Sequence, residues 1–429
     1  MYCQKDVNTF VNLLQRCIQR DLAKGRELQL LIVINGLESI PYLAACVIRM
    51  YSSFDLLSEA QRVFKKLSEP DVFAWSAIIA AHAGSGENEE ALALYYEMCD
   101  SSVEADGHVF VAALKVCSSL GRLEEGRVIH CSIIESGLES DVYVGSTIIS
   151  MYSNCRCVLD ALVVFERLPE RNIVTWSALI SGYAQNGFCD KALEAFRQMQ
   201  DVGIIPDART YVCILKACSI VQSLEIGEDI VSNIRKKGLL INNIVLGSTI
   251  VDMYSKWGCL ETAKTLSKKL QNQDVVSWNA LIAGYAENGA TEMVLKCLEK
   301  MEEAGISSCA ITLISCLKVC STVGDLDSGY KMHTEIVNKG FERDVALGNA
   351  LIGMYAKCGS LAASSAAFDN MSRRDVISWT TLMVAYAENG LREEASNCLG
   401  QMQIENVLPD SMSWNTVIEY HAIQGESDE

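Results

Sequence analysis

The chain has 429 residues, half of them apolar and 21% charged, which excludes a disordered polymer. Its 36 basic side chains stand against 54 acidic ones, a formal charge of −18 that taken alone weighs against a nucleic-acid partner. The apolar stretch Leu28 to Ile34 is far too short to span a bilayer. No secretory signal precedes it, and the first twenty residues lack the acid-free, Ser-rich character of a transit peptide, so a targeting segment is either unneeded or missing from this chain.

Taken in order, the chain repeats itself. Trp75-Ser76-Ala77-Ile78-Ile79 returns at Trp176, Trp278 and Trp379, with spacings of 101, 102 and 101 residues, and again at Trp414. Self-similarity at a fixed period is the mark of a repeat array. After an N-terminal stub, 1–6, come a middle-type unit 7–40 and a short unit 41–71. Three sets of a standard, a middle (long-type) and a short unit follow: 72–106, 107–141 and 142–172; 173–207, 208–243 and 244–274; 275–309, 310–344 and 345–375. A further standard unit fills 376–410, and 411–429 begins another without completing it, giving twelve units and a fragment.

Each unit reads as two helices. In 173–207 the apolar residues Trp176, Leu179, Ile180 and Tyr183 share one helical face, and Asn186-Gly187 is a helix stop. The second helix carries Ala192, Leu193, Phe196 and Met199 and stops at Gly203. All five prolines lie at unit junctions. No unit can bury its apolar stripe alone, so neighbours must stack, and the expected fold is all-α, a right-handed α-solenoid superhelix of helix-turn-helix repeats.

The 18 cysteines include no Cys-x-x-Cys pair, and Cys17, Cys117, Cys218 and Cys320 hold one repeated position, so they are read as small buried apolar residues and no metal is expected. Glu89-Glu90, Glu124-Glu125 and Glu393-Glu394 open second helices, where acids suit the helix dipole, so much of the negative charge belongs to an outer layer. First helices carry Lys115, Lys216 and Lys318 at their ninth position and Lys256 and Lys357 at their thirteenth. Fifth, ninth and thirteenth positions share a face, which therefore mixes small polar groups with lysines, as a groove for a single-stranded nucleic acid or for a protein would.

Three segments carry a family resemblance: Trp-x-x-Leu-Ile-x-Gly-Tyr-Ala-x-Asn-Gly (176–187, 278–289), Leu-Lys-x-Cys (114–117, 215–218, 317–320) and Met-Tyr-x-x-Cys (151–155, 354–358). With the alternating lengths of 35, 35 and 31, the chain resembles the plant pentatricopeptide repeat family, in its subclass of alternating long, short and standard repeats. The resemblance implies binding of single-stranded RNA, one nucleotide per repeat, in a mitochondrion or chloroplast, as the site-recognition factor for RNA processing and in particular C-to-U editing. It implies a monomer with no cofactor, neither DNA nor membrane as partner, and a deaminase or editing cofactor protein acting in trans.

Within that family the fifth and closing residues of a repeat read the base. The resemblance then assigns Ser76 with Asp106 to G, Ser146 with Asn172 to A, Ser177 with Asp207 and Ser248 with Asp274 to G, Asn349 with Asp375 to U, and Thr380 with Asp410 to G. Asn279 closes with Cys309 and Ala45 with Asp71, departures that leave those letters open, and the middle units present Val111, Val212 and Ile314, to which no letter is given. The implied target is n n G n A G n G n n U G. Second-position residues Phe73, Tyr143, Val174, Val245, Val276 and Ile377 are candidates to sandwich bases, against the alternative that they pack between units; Lys256 and Lys357 are candidates for phosphate. For the fifth and closing residues the alternative is ordinary capping and turn chemistry.

In the subclass a deaminase domain can follow the array, needing His-x-Glu and Cys-x-x-Cys for zinc. His333-Thr334-Glu335 supplies the first half, but His130 holds the same repeat position and no cysteine pair follows, so no catalytic residue is expected. Two other readings stay open: a protein-interaction scaffold, and a truncated fragment of a longer editing protein.

Overall fold

The computed structural model describes residues 4–240, 243–269 and 275–422, and every regular element among them is an α-helix. The chain divides into two compact segments, Met1–Ala217 and Cys218–Glu429.

In the first segment the helices come in hairpins: α1 (Gln4–Cys17) with α2 (Leu22–Ile34), α3 (Pro41–Ser52) with α4 (Leu57–Phe64), and α5 (Val72–Gly84) with α6 (Asn88–Asp100). Next come α7 (Gly107–Leu120) with α8 (Leu123–Glu135), α9 (Val142–Asn154) with α10 (Val158–Arg167), and α11 (Ile173–Gln185) with α12 (Cys189–Asp201). α13 (Ala208–Val221) crosses the division. α1 begins at Gln4, within the stretch expected to be a stub.

The second segment continues the pattern. α14 (Leu224–Lys236) is followed by α15 (Ile244–Lys256) with α16 (Leu260–Lys269), α17 (Val275–Glu287) with α18 (Thr291–Glu303), and α19 (Ala310–Val323) with α20 (Leu326–Asn338). Then come α21 (Val345–Lys357) with α22 (Leu361–Asp369), α23 (Val376–Glu388) with α24 (Arg392–Ile404), and α25 (Ser411–Ala422). No described helix is long and apolar enough to cross a membrane.

Local chemistry sets where first helices begin. Asp71, Asp106, Asp141, Asn172, Asn243, Asp344 and Asp375 are N-caps whose side chains accept backbone N–H bonds from the first turn. Each cap of this kind is worth about 1 kcal/mol. Second helices mostly start without a side-chain cap, but α6, α8 and α24 carry Glu89-Glu90, Glu124-Glu125 and Glu393-Glu394 in the first turn. There the acids face the positive end of the helix dipole. Gly121 ends α7 in the left-handed conformation at φ 68°, a backbone that side chains rarely adopt.

First helices pack side by side along each segment, α3 on α5, α5 on α7, α7 on α9 and α9 on α11, while most second helices rest on their own partner and on the next first helix. The repeated tryptophans make that last contact. Trp75, Trp176 and Trp379 are buried and stand edge-on to Phe64, Phe165 and Phe368 of the preceding hairpin, with centroids 4.8, 4.7 and 4.6 Å apart. Such pairs add about 0.5–1.5 kcal/mol beyond their buried area. Arg171 and Arg374 lie over the rings of Phe165 and Phe368, at 5.0 and 4.6 Å, and donate to the carbonyls that end α10 and α22.

The cysteines at the repeated position are core. Cys17, Cys117, Cys218 and Cys320 are buried, and burial foremost pushes the thiols of Cys117 and Cys320 up to about 12 and about 11. His333 Nδ1 lies 2.8 Å from the Tyr355 hydroxyl, and His130 Nδ1 stands 3.0 Å from Tyr152. Glu335 pairs with Lys339 at 2.8 Å, so the His-x-Glu residues serve helix packing.

Candidate nucleic-acid interface

In the first segment the first helices line an open cleft of about 1020 Å³. Ser76, Ser146, Ser177 and Asp207 are on its walls together with the second-position residues Tyr143 and Val174. Four basic or imidazole side chains join them, Arg49, His108, Lys115 and Arg209, all exposed. With Asp207 the one acid among its lining residues, the cleft carries positive charge in a chain of net charge −18; other acids sit elsewhere, Glu89 and Glu125 held by Arg122, and Glu124 and Asp160 by Arg127. Arg49 holds the same ninth position in its hairpin as Lys115, and a search for arginine as well as lysine there would have found it.

In the second segment Thr380, Asp410, Ile377 and Lys357 line a smaller recess of about 240 Å³. Ser248, Val245, Val276, Asn279, Asn349 and Asp375 lie outside these two hollows, and Asp274 lies outside the described residues. Lys256 is bound to Asp252 at 2.9 Å, which reduces its value as a phosphate ligand, whereas Lys357 is exposed.

The second-position side chains form a periodic exposed row. Tyr42, Phe73, Tyr143, Val174, Val245, Val276, Ile311, Ile377 and Met412 are between 39 and 64% exposed, so they are not consumed by packing between hairpins. Tyr42 and Phe73 meet edge to face at 5.3 Å. Tyr42, Ile311 and Met412 were not singled out in the sequence, although each stands one residue after a helix start, as Phe73 does.

The hydroxyl-bearing fifth residues are buried, and the closing residues keep a polar atom that capping does not use. Ser76, Ser146, Ser177, Ser248 and Thr380 are buried against the helix. Ser146 and Ser248 donate to the carbonyls of Tyr143 and Val245, at 2.9 and 3.0 Å. The closing residues cap through a single atom: Asp106 Oδ1 accepts from Val109 N at 2.9 Å, Asp207 Oδ1 from Thr210 N at 2.8 Å, and Asn172 Oδ1 from Val174 N and Thr175 N. Among the described residues that leaves each Asp its second oxygen, an acceptor, and leaves Asn172 its amide nitrogen, a donor. The alternatives of capping and base reading are therefore compatible, because they use different atoms of one side chain.

Fifth and closing residues also communicate. Asn349 Nδ2 donates to Asp375 Oδ1 at 3.2 Å, and Asn279 Nδ2 to Cys309 Sγ at 3.2 Å. Elsewhere a hydroxyl from the next hairpin bridges them: Thr210 Oγ1 is 2.6 Å from both Ser177 Oγ and Asp207 Oδ1, and Ser413 Oγ is 2.9 Å from Thr380 Oγ1 and 2.8 Å from Asp410 Oδ1. Burial pushes the Asp375 carboxyl up, but hydrogen bonds from Ser378 and Asn349 outweigh it and hold the group below its ordinary value. Burial likewise raises the Cys309 thiol, and bonds from Thr312 and Asn279 bring it below the ordinary thiol value.

The chain is similar to known proteins. The PPR repeat family model matches residues 171–219 and 273–322, and the PPR repeat model matches 73–103, 146–173 and 377–407. A mitochondrial pentatricopeptide repeat-containing protein of Arabidopsis thaliana is 34% identical over 373 residues, 87% of this chain and 36% of its own length. A chloroplastic one from the same plant is 30% identical over 408 residues, 95% of this chain and 50% of its own length. The chain thus spans half or less of these two relatives. The crystal structure of the pentatricopeptide repeat protein PPR10 from maize superposes with a TM-score of 0.52 at 19% identity, over 98% of this chain and 72% of that one.

Proposed function

The chain belongs to the pentatricopeptide repeat family, and from that premise we propose that it binds single-stranded RNA sequence-specifically, one nucleotide per hairpin. The observation that carries this reading is the division of labour in the closing residues, which cap a helix with one atom and keep a second polar atom unused, with Asp207 among them lining the cleft beside the buried Ser177. Around that edge-reading pair stand the exposed second-position side chains, suited to base stacking, and the cations Arg49, Lys115 and Arg209, suited to phosphates.

We further propose that the chain falls in the subclass of alternating long, short and standard repeats. It acts there as a recognition factor for organelle RNA processing, C-to-U editing above all, with a deaminase supplied in trans. Two relatives bear mitochondrial and chloroplastic names, which supports an organelle location. The test is binding of the purified chain, at low and moderate salt, to n n G n A G n G n n U G and to a scrambled RNA. Preference for the first, weakening with salt, is expected. Equal or absent binding at low salt would overturn the reading in favour of a protein scaffold, the outcome that a net charge of −18 favours.

A further inference from the structure

We propose that the hydroxyl at the third residue of a following hairpin, Thr210 or Ser413, is a positioning residue that makes the preceding fifth residue a pure hydrogen-bond acceptor and so sets its discrimination between guanine and adenine. The inference rests on the RNA reading above and concerns residues to which that reading gives no role.

The argument is a count of protons. Ser177 Oγ is 2.6 Å from Ile173 O and 2.6 Å from Thr210 Oγ1, and Thr210 Oγ1 is 2.6 Å from Asp207 Oδ1. A carbonyl and an ionised carboxylate only accept, so two hydroxyl protons must serve three contacts. The contact to Asp207 has the length of a charge-assisted O–H···O⁻ bond, about 2.5–2.7 Å, so Thr210 donates there. Ser177 then gives its one proton to Thr210 or to Ile173, and in either arrangement none remains for a base. Thr380 repeats the arrangement, 2.7 Å from Val376 O and 2.9 Å from Ser413 Oγ, with Ser413 2.8 Å from Asp410 Oδ1. Where the closing residue is Cys309 in place of a carboxylate, Thr312 donates instead to Asn279 Oδ1, as expected if the proton follows the strongest acceptor.

Ser177 and Asp207 both line the cleft, and since Asp207 Oδ1 is occupied by the N–H and O–H of Thr210, what the trio can offer a base is a lone pair of Ser177 and Asp207 Oδ2. Two adjacent acceptors match the N1–H and N2–H₂ of guanine. Adenine would set its N1 lone pair against one of them, leaving a hydrogen bond unmade. The pair Ser76 and Asp106 is different. Val109 fills the third position, and Ser76 Oγ has no partner among the described residues, so its proton is free to meet adenine N1. Two repeats with the same fifth and closing residues should therefore read purines with different stringency.

The test is anisotropy of the full chain on twelve-nucleotide RNAs of the implied target with G or A at the third and sixth positions. At the sixth, read by Ser177 and Asp207, G→A should weaken binding about tenfold, the size of one unmet hydrogen bond. At the third, the loss should stay within about threefold. Thr210→Val should bring the sixth-position ratio down to that of the third, Thr210→Ser should keep it, and Val109→Thr should raise the third-position ratio. A Thr210→Val chain that still binds with an unchanged G/A ratio, or a Val109→Thr chain without the gain, overturns the proposal and leaves RNA reading intact. An unsubstituted chain that binds no RNA better than a scrambled one removes both. Because Val109→Thr is read as a gain, a folding defect in Thr210→Val cannot decide the outcome.

Discussion

Asn349 and Asp375 stand 26 residues apart in the chain and share a hydrogen bond of 3.2 Å, so a residue one turn inside one first helix touches the cap of the next. The same carboxyl oxygen accepts from the backbone and hydroxyl of Ser378, at 2.8 and 2.9 Å. Replacing Asp375 by Ala should destabilise the chain by about 1–2 kcal/mol at neutral pH. Because the folded carboxyl is held below its ordinary value, its contribution is complete above an unfolded pKa of about 4 and fades as pH falls through the lower folded value. Urea melts of both chains at pH 7 and at pH 2.5 should show the gap between them close in acid. A gap of equal size at both would count against this assignment.

Asn172→Asp changes the atom offered to the base while leaving the cap. Both residues cap equally well, so thermal stability should move by only a few tenths of a kcal/mol. The fifth nucleotide of the target should shift from A towards G by about tenfold, as expected when an amide donor becomes an acceptor. Competition binding with the four variants of that nucleotide measures it.

The lysines should separate by their neighbours. Lys357→Ala and Lys115→Ala, removing exposed cations, should each lower the slope of log affinity against log salt by about 0.7. Lys256→Ala should change it less, because Asp252 already neutralises that ammonium. Equal slopes for all three variants would remove the distinction.

Phe73→Ala and Tyr143→Ala should weaken RNA binding by about 1–3 kcal/mol each, the range for base stacking on an aromatic ring. Their side chains are 43 and 53% exposed, so melting temperature should barely move. Calorimetry on free protein, beside binding, tests both halves of this expectation.

Arg374→Met works the other way. The guanidinium covers the Phe368 ring at 4.6 Å, donates to the carbonyls of Phe368 and Asp369 and pairs with Glu405 at 2.8 Å, all away from the recess lined by Thr380 and Asp410. Its loss should cost about 1–2 kcal/mol of stability with base preference unchanged.

The all-helical hairpin plan was legible because two signals coincide in the chain. Asp or Asn sits immediately before a first helix, and an apolar stripe led by tryptophan follows it, so N-cap chemistry and helical period point to one boundary. The core position of Cys117 and Cys320 was legible from recurrence alone. Less could be read where two physical roles call for the same residue type. An apolar second-position residue such as Val174 looks the same in sequence whether it packs or faces the cleft, and only its exposure decides. Thr210 reads as an ordinary first-turn hydroxyl, since its bond to Ser177 joins side chains 33 residues apart. Arg49 escaped a pattern defined on lysine.

The capping of most first helices by the last residue of the preceding hairpin has a consequence for how such a chain changes by duplication and exchange. Ser177 and Asp207 lie on one stretch of sequence, yet the hydroxyl that locks them, Thr210, arrives with the next. A recombination event that swaps the downstream repeat would leave both reading residues untouched and still alter the stringency of their letter. On the proposed reading, meaning in this array is spelled at the joints, and a repeat moved to a new neighbour need not keep the base it read before.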